Sequence, residues 1–252
     1  MIQYKDLGII LKSQDFFEAD KILNILTQKK GKIRAIAKGI RRPTARFSGN
    51  LEPFSCTNLI LVEGRKDLDI ITGAEIISGF KNIKKDLKKT ATAYLLVELV
   101  DGLIGEKEKQ LKVFENLRKA LEKLDSDKGL DLSLLKDYFI INTLDTLGYR
   151  PEIKICQLCN SKIKENKNYF SFKLGGVLCS SCFEKDEGAA HISLENLKIL
   201  KLFVSEDIDV IDKIEPKNKK ELSEILELFL EYISEKTLKS SKFYKHINHK
   251  EN

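Results

Sequence analysis

The sequence has few histidines, no long apolar run and no signal-peptide pattern, and each of these absences argues against one class of site or protein. It has 252 residues, no tryptophan and only three histidines, so a histidine-centred catalytic site has few candidates. Its longest uninterrupted apolar run, residues 93–97, is far shorter than the about 18 residues that a transmembrane helix needs. Residues 1–6 lack the basic-then-apolar layout of a signal peptide. We therefore expect a cytoplasmic protein with no membrane partner.

The bulk composition indicates a folded chain with a hydrophobic core. Hydrophobic residues make up 42% and charged residues 33% of the sequence, which argues against a wholly disordered protein. At roughly 150 residues per domain, the length favours about two domains. In a reducing cytosol, the five cysteines are not expected to form structural disulfides.

Positive charge is concentrated towards the N-terminal side. The net charge is +6 overall, with +4 in residues 1–80 and −3 in residues 184–252. Residues 21–51 contain no acidic residue but nine basic ones. These are Lys21, Lys29, Lys30, Lys32, Arg34, Lys38, Arg41, Arg42 and Arg46. Such a local field favours partners that carry phosphate groups, although a solvated basic face is the alternative interpretation.

Five short apolar runs separated by turn residues predict β-structure in the first 80 residues. They cover residues 7–11, 21–26, 32–37, 59–62 and 68–71. Five strands favour a small antiparallel barrel of the OB-fold type, which commonly holds nucleic acid, but an SH3-like barrel would give the same pattern.

Strand alternation locates the basic side chains on such a barrel. It puts Ile33, Ala35 and Ala37 inside and leaves the basic residues of the third strand outside. The predicted DNA-binding residues are Lys32, Arg34, Lys38, Arg41, Arg42 and Arg46. Single-strand binding usually adds base stacking on aromatic rings. Phe47 and Phe54 are the candidates for stacking, with core packing the favoured alternative for Phe54.

From about residue 81, apolar residues recur at three- and four-residue steps, which predicts amphipathic helices. The pattern covers residues 87–103, 111–124, 132–147, 194–203 and 222–233. The basic tail from residue 236 is expected to be an exposed terminus. The sequence therefore predicts an α+β chain with an N-terminal five-stranded OB-fold barrel and a helical domain.

Four of the five cysteines form the pattern C-x2-C-x19-C-x2-C: Cys156, Cys159, Cys179 and Cys182. This spacing predicts a four-thiolate zinc site, in which two knuckles clamp a hairpin-like insert. Because sulfur fills all four positions, the zinc is expected to be structural. Two disulfides or a redox dithiol are the alternatives. The fifth cysteine, Cys56, is expected to be a buried, inert thiol.

Two other classes of function compete with nucleic-acid binding. Acidic residues between 206 and 212 suggest a hard-metal site of a nuclease: Glu206, Asp207, Asp209 and Asp212. Their spacing lacks the glycine and the terminal glutamate of a calcium loop, so a solvated acidic turn is favoured. The sequence has no G-x-x-x-x-G-K-[ST] loop for ATP hydrolysis. A protein-interaction adaptor is the second rival, and we expect a chain that is not an enzyme.

Several stretches resemble the RecO family of bacterial recombination mediators. They are residues 38–54, 64–65, 68–72, 74–75, 148–151 and 175–179. The resemblance follows the order of parts over essentially the whole chain. It implies an OB-fold DNA-binding domain in residues 1–80, helical segments in residues 81–150 and 186–252, and a zinc-binding insert in residues 151–185.

The resemblance also implies an activity and partners. It implies binding of single- and double-stranded DNA, annealing of complementary strands, and help in loading RecA onto coated gaps. The implied partners are RecR, RecF pathway proteins and the acidic C-terminal tail of single-stranded-DNA-binding protein, at a nucleoid-associated location. A zinc-containing OB-fold adaptor without annealing activity is the alternative.

Overall fold

The computed structural model describes residues 2–43, 45, 47–126, 129–164, 167–215, 218–235 and 238–248. The chain divides into two units: Met1–Lys128 together with Leu238–Asn252, and Gly129–Thr237. The four domain segments proposed from the sequence stay a prediction.

Five strands of the first unit close into a barrel. They are β1 (Gln3–Phe16), β2 (Asp20–Thr27), β3 (Gly31–Ala37), β4 (Cys56–Val62) and β5 (Leu68–Ser78). Their order is β1-β2-β3-β5-β4, and β4 returns to pair with β1. Every pairing is antiparallel except that between β3 and β5, which is parallel. All five predicted strands are confirmed, and so is the fold class.

The barrel interior follows the period-two alternation of the strands. Ile33, Ala35 and Ala37 belong to the buried cluster, as the sequence predicts, while Arg34 between them is exposed. The loop after β3 adds Ile40 and Leu51 to the same cluster. The segment that carries the basic residues is therefore anchored to the barrel by apolar side chains.

Three helices follow the barrel in the first unit: α1 (Lys81–Lys85), α2 (Leu87–Leu103) and α3 (Leu111–Ser126). Asp86 begins α2, and its carboxylate accepts the backbone N–H groups of Lys88 and Lys89. Such a cap satisfies donors that have no partner within the helix. The apolar periodicity of the sequence predicted both long helices, α2 and α3, correctly.

The C-terminal tail forms a helix that the sequence did not predict, while its described basic side chains are exposed, as expected. Residues Lys239–Asn248 form α7, which packs against α2. Glu98 of α2 accepts the N–H groups of Lys239 and Ser240 at 2.9 and 2.7 Å, and Tyr244 is buried. This carboxylate satisfies the first turn of α7 and complements its dipole. A cap supplied 141 residues earlier in the chain leaves no local signal in the tail.

The second unit is built on three long helices: α4 (Leu132–Thr146), α5 (Leu194–Ser205) and α6 (Lys219–Ser234). All three were predicted. Helix α4 packs against both α5 and α6. Lys136 of α4 is almost fully buried, and its ammonium bonds a carboxylate oxygen of Glu227 in α6 at 2.6 Å. Among the described residues, no helix has the length and the apolar character needed to cross a bilayer.

The insert between α4 and α5 carries a three-stranded sheet of order β7-β6-β8. Its strands are β6 (Asn168–Ser171), β7 (Gly176–Cys179) and β8 (Ala190–Ile192). The β6–β7 hairpin is the one that the sequence predicts between the two cysteine pairs, whereas β8 was not predicted. A three-residue strand is too short to show a hydrophobic period.

Candidate metal centre and nucleic-acid interface

The four predicted ligand cysteines converge at one point. The Sγ atoms of Cys156, Cys159, Cys179 and Cys182 all lie within 4.8 Å of one another. Cys159 and Cys179 Sγ are 3.7 Å apart. A tetrahedron of sulfurs about 2.3 Å from a zinc ion has edges of about 3.8 Å, whereas a disulfide bond is about 2.05 Å long. All five cysteines of the chain are free thiols.

Backbone hydrogen bonds shape the first knuckle. Asn160 has a φ of 57°, and its N–H donates to the carbonyl of Cys156 at 2.9 Å. The left-handed position after the second cysteine is therefore taken by asparagine, which tolerates it better than most residues. The Cys179 N–H points at Cys156 Sγ, 3.4 Å away. Such donors favour a thiolate over a thiol.

The thiols differ in their readiness to ionise. Burial opposes ionisation of Cys156, but backbone N–H donors outweigh it and lower its pKa. The Ser161 hydroxyl and N–H lower the pKa of Cys159 to about 6. Burial, followed by the other three thiols, raises the pKa of Cys182 to about 12. The neighbouring thiols thus oppose the ionisation of Cys182, and a bound cation would remove that opposition.

The insert is packed in two places. Around the cysteines, Leu178 is buried with Cys156 and Cys182. Tyr169 stacks on Phe183 with ring centroids 4.2 Å apart. In the sheet, Phe170 is fully buried and its ring lies 5.2 Å from that of Phe229 in α6. The thiolates and the metal that they can bind would therefore hold the two cysteine pairs beside a sheet that has apolar packing of its own.

One carboxylate links the third strand of the insert to α6. Glu221 accepts hydrogen bonds from the Ser193 N–H at 3.1 Å and the Ser193 hydroxyl at 2.6 Å. It also contacts His191 Nδ1 at 3.1 Å and the amide of Asn196. Burial opposes the charge, but these donors outweigh it and lower the pKa of Glu221.

The predicted DNA-binding residues fall into separate places. Arg34 lies on β3 with its side chain half exposed, 4.0 Å from Glu106. Lys38 and Arg42 lie in the turn after β3, and both are exposed. In the described part of the chain, neither of these two side chains makes an ion pair. Their charges are therefore available to a phosphate-bearing ligand.

Arg41, in the same turn, makes contacts with the β1–β2 turn. Its guanidinium lies 3.4 Å from Asp15 and donates to the carbonyl oxygen of Phe17 at 3.4 Å. It lines a groove of about 590 Å³, together with Arg42, Lys21 and residues of the loop before β4. Arg41 therefore both carries charge and ties the β1–β2 turn to the turn after β3.

Lys32 lies apart from this group. Its ammonium bonds the carbonyl oxygen of Asp101 in α2 at 2.6 Å, and the Asp101 carboxylate is 3.5 Å away. Only 11% of the Lys32 side chain is exposed. The lysine therefore holds the barrel against α2. Arg46, the last predicted residue, lies outside the described residues.

The two aromatic candidates for base stacking, Phe47 and Phe54, differ in burial. Phe54 is buried, with its ring edge-on to Tyr94 at 5.2 Å, so it is a core residue. Phe47 is partly buried against the barrel core. The sequence patterns did not point to Phe17, at the tip of the β1–β2 hairpin, which is 81% exposed. Two phenylalanines within a charged turn were the available signal, because turns rarely need large apolar side chains.

The acidic residues of the rival nuclease interpretation lie just before and within a short helix. Asp207 accepts the N–H of Ile208 and begins the 3-10 helix Ile208–Lys213. Among the described residues, the four cysteines are the one group whose ligand atoms converge for a metal.

Comparison with known proteins identifies the family. Residues 1–80 match the family model described as Recombination protein O N terminal, and residues 84–242 match Recombination protein O C terminal. The chain is 33% identical to the DNA repair protein RecO of Roseiflexus sp. over 242 residues, which is 95% of this chain and 84% of that protein. The chain belongs to the RecO family. It is also 32% identical to RecO of Desulforamulus reducens, covering 93% of that protein, and 35% identical over 210 residues to RecO of Symbiobacterium thermophilum.

RecO membership confirms the resemblance noted in the sequence and gives the chain a role in DNA repair and recombination. It also agrees with the order of parts in the structure, since an OB-like barrel is followed by helices and a cysteine cluster.

Proposed function

We propose that this chain is a non-enzymatic recombination mediator of the RecO family. It binds single- and double-stranded DNA and anneals complementary strands. With RecR it helps to load RecA onto DNA coated by single-stranded-DNA-binding protein. Other RecF pathway proteins and the acidic tail of single-stranded-DNA-binding protein are its further partners. Family membership supports this assignment, and the exposed basic turn after β3 is the structural observation that carries it.

The mechanism starts from phosphate binding by Arg34, Lys38, Arg41 and Arg42. Each cation that meets a phosphate releases condensed counterions, so the affinity falls as salt rises. These side chains stand on the third strand and the turn after it, and the barrel core holds that turn. A fixed basic surface binds strands through their backbones and leaves their bases free to pair. Annealing follows because the two strands are brought close together while their mutual repulsion is screened.

We assign the four cysteines to a structural zinc ion. The spacing of the sulfurs matches a tetrahedral site, and four thiolates leave no position open for substrate. The ion would fix the ends of the β6–β7 hairpin, so the chain needs no metal chemistry for its activity.

Charge reversal in the basic turn tests the DNA-binding surface. The double variant Lys38→Glu, Arg42→Glu is expected to bind single-stranded DNA more weakly. Its slope of log K against log salt should be less steep by about 0.7 for each phosphate that the variant no longer neutralises. The matched control is Lys81→Glu, Lys112→Glu, which makes the same charge change at exposed positions on α1 and α3. Equal binding by both double variants would move the DNA surface away from this turn.

An annealing assay tests the mediator function itself. Complementary strands are coated with single-stranded-DNA-binding protein and mixed with magnesium, with and without this chain and RecR. We expect faster duplex formation and intact strands. Cleavage would indicate a nuclease, whereas binding without annealing would favour the zinc-containing adaptor.

A further inference from the structure

The tip of the β1–β2 hairpin combines two features that are costly for a phenylalanine. Phe17 has a φ of 48°, and its side chain is 81% exposed. Left-handed backbone favours glycine or asparagine, and an exposed ring gains nothing from burial. Strained residues of this kind concentrate at binding sites, where the surrounding structure maintains them.

The neighbouring turn after β3 fixes this conformation through three hydrogen bonds. The Arg41 N–H donates to the Ala19 carbonyl at 3.0 Å, and the Arg41 guanidinium to the Phe17 carbonyl at 3.4 Å. The Gly39 N–H donates to the Asp20 carboxylate at 2.7 Å. Phe16 meets the Phe17 ring edge-on, with centroids 4.3 Å apart. These contacts therefore hold the Phe17 ring in a solvent-exposed position.

The charges around the ring favour a nucleic acid over an apolar protein surface. Asp15 is opposed by Arg41 at 3.4 Å and by Lys21 at 3.9 Å. The Asp20 carboxylate accepts the N–H of Gly39 in the turn after β3. Glu18 is therefore the remaining acidic side chain at the tip. The exposed residues Lys38 and Arg42 belong to the turn after β3, whose Gly39 and Arg41 donate to this tip. A ring beside phosphate-binding cations is the usual arrangement for binding single strands.

We propose that Phe17 is a stacking platform for an unpaired base of bound single-stranded DNA. The cations of the turn after β3 hold the backbone, and the open face of the ring receives a base. The proposal rests on DNA binding as assigned above and adds a residue that separates single strands from duplex. Bases within a duplex are already stacked on each other and offer the ring no face.

Tryptophan fluorescence tests the contact directly, because the chain has no tryptophan. Phe17→Trp introduces one indole at the tip, and its emission should be quenched when oligo-dT binds. Phe17→Ala should weaken oligo-dT binding about tenfold without changing the salt slope, because the same number of phosphates is still neutralised. Binding to a covalently closed relaxed duplex circle should be unchanged.

The control replaces an exposed phenylalanine elsewhere in the same unit. Phe243→Ala, on α7, should bind oligo-dT as the unaltered chain does. Thermal melts of all variants check that they fold. Full oligo-dT affinity in Phe17→Ala and unquenched emission in Phe17→Trp would overturn the stacking role while DNA binding stands. Equal losses on oligo-dT and duplex would also overturn it, as would an indole that responds only to a partner protein. Failure of the unaltered chain to bind DNA would overturn both proposals.

Discussion

Gly31 shows how a single backbone position joins the barrel to the loop after α2. Its φ is +77°, and a Cβ atom there would lie 2.1 Å from the carbonyl oxygen of Glu108. The same loop returns a hydrogen bond, from the Lys107 N–H to the Lys32 carbonyl at 2.7 Å. The glycine is therefore required for both the turn and the close approach of two backbones.

Gly31→Ala is expected to destabilise the protein by more than about 2 kcal/mol, because backbone and not a flexible side chain must move. The measurement is the urea midpoint of unfolding, followed by circular dichroism. Gly102→Ala is the control: Gly102 lies in α2, and an added Cβ meets nothing within 4 Å. That change should leave the stability unchanged or raise it by up to about 1 kcal/mol. Similar losses in both variants would contradict the close approach.

The contrast between Lys32 and Lys38 explains what residue patterns can predict. Both are basic residues in or beside β3, and the sequence assigned both to DNA. The structure buries Lys32 against Asp101, which lies 69 residues further along the chain, whereas Lys38 is exposed. Charge counting does not detect a partner at that separation. The strand itself was predictable because its alternation is local.

At the scale of elements, Glu221 joins the insert to α6. The carboxylate accepts from groups on both sides of the β8–α5 connection, and these donors hold its pKa below the ordinary value of 4.5. A lowered folded-state pKa means that the charged form stabilises the fold. This contribution is complete above pH 4.5 and is lost as the pH falls through the folded-state pKa.

Glu221→Gln should therefore lower the free energy of unfolding by about 1.5–3 kcal/mol at pH 7, since hydrogen bonds to a charged acceptor are lost. The difference from the unaltered chain should shrink as the pH falls below 4.5. Urea unfolding at several pH values measures it. Glu224→Gln is the control on the same helix. The Glu224 side chain is 60% exposed, and its contact with Lys220, at 3.7 Å, is a surface ion pair. A Glu221→Gln deficit that does not change with pH would contradict the proposed charge effect.

Most elements were predictable because their signals are local. The long helices showed their apolar period, and the five barrel strands showed short runs between turns. Two elements that were missed depend on distant partners: α7 is capped by Glu98, and β8 pairs with β6. The cysteine cluster was predictable residue by residue, since each cysteine pair is formed within four consecutive positions. Phe17 was not predicted because the hydrogen bonds that fix its conformation come from the turn after β3, which is distant in the sequence.

At the scale of the whole molecule, the five cysteines report on the two units separately. The four clustered cysteines belong to the second unit, and Cys56 lies on β4 of the barrel, 1% exposed. Burial raises the pKa of the Cys56 thiol to about 11, so it is inert in the folded barrel. A thiol-reactive dye therefore distinguishes loss of metal from loss of the barrel.

We expect no rapid labelling of the zinc-loaded chain, labelling of four thiols after a strong chelator is added, and labelling of the fifth only in denaturant. Zinc release, followed with a metal-sensitive dye, should accompany the four-thiol step. Loss of metal removes the ion that would join the two cysteine pairs, whereas the barrel keeps its own core. Cys56→Ala serves as the control and should reduce only the final count. Four reactive thiols before chelation would exclude a bound metal, and five after chelation would show that the barrel also depends on it.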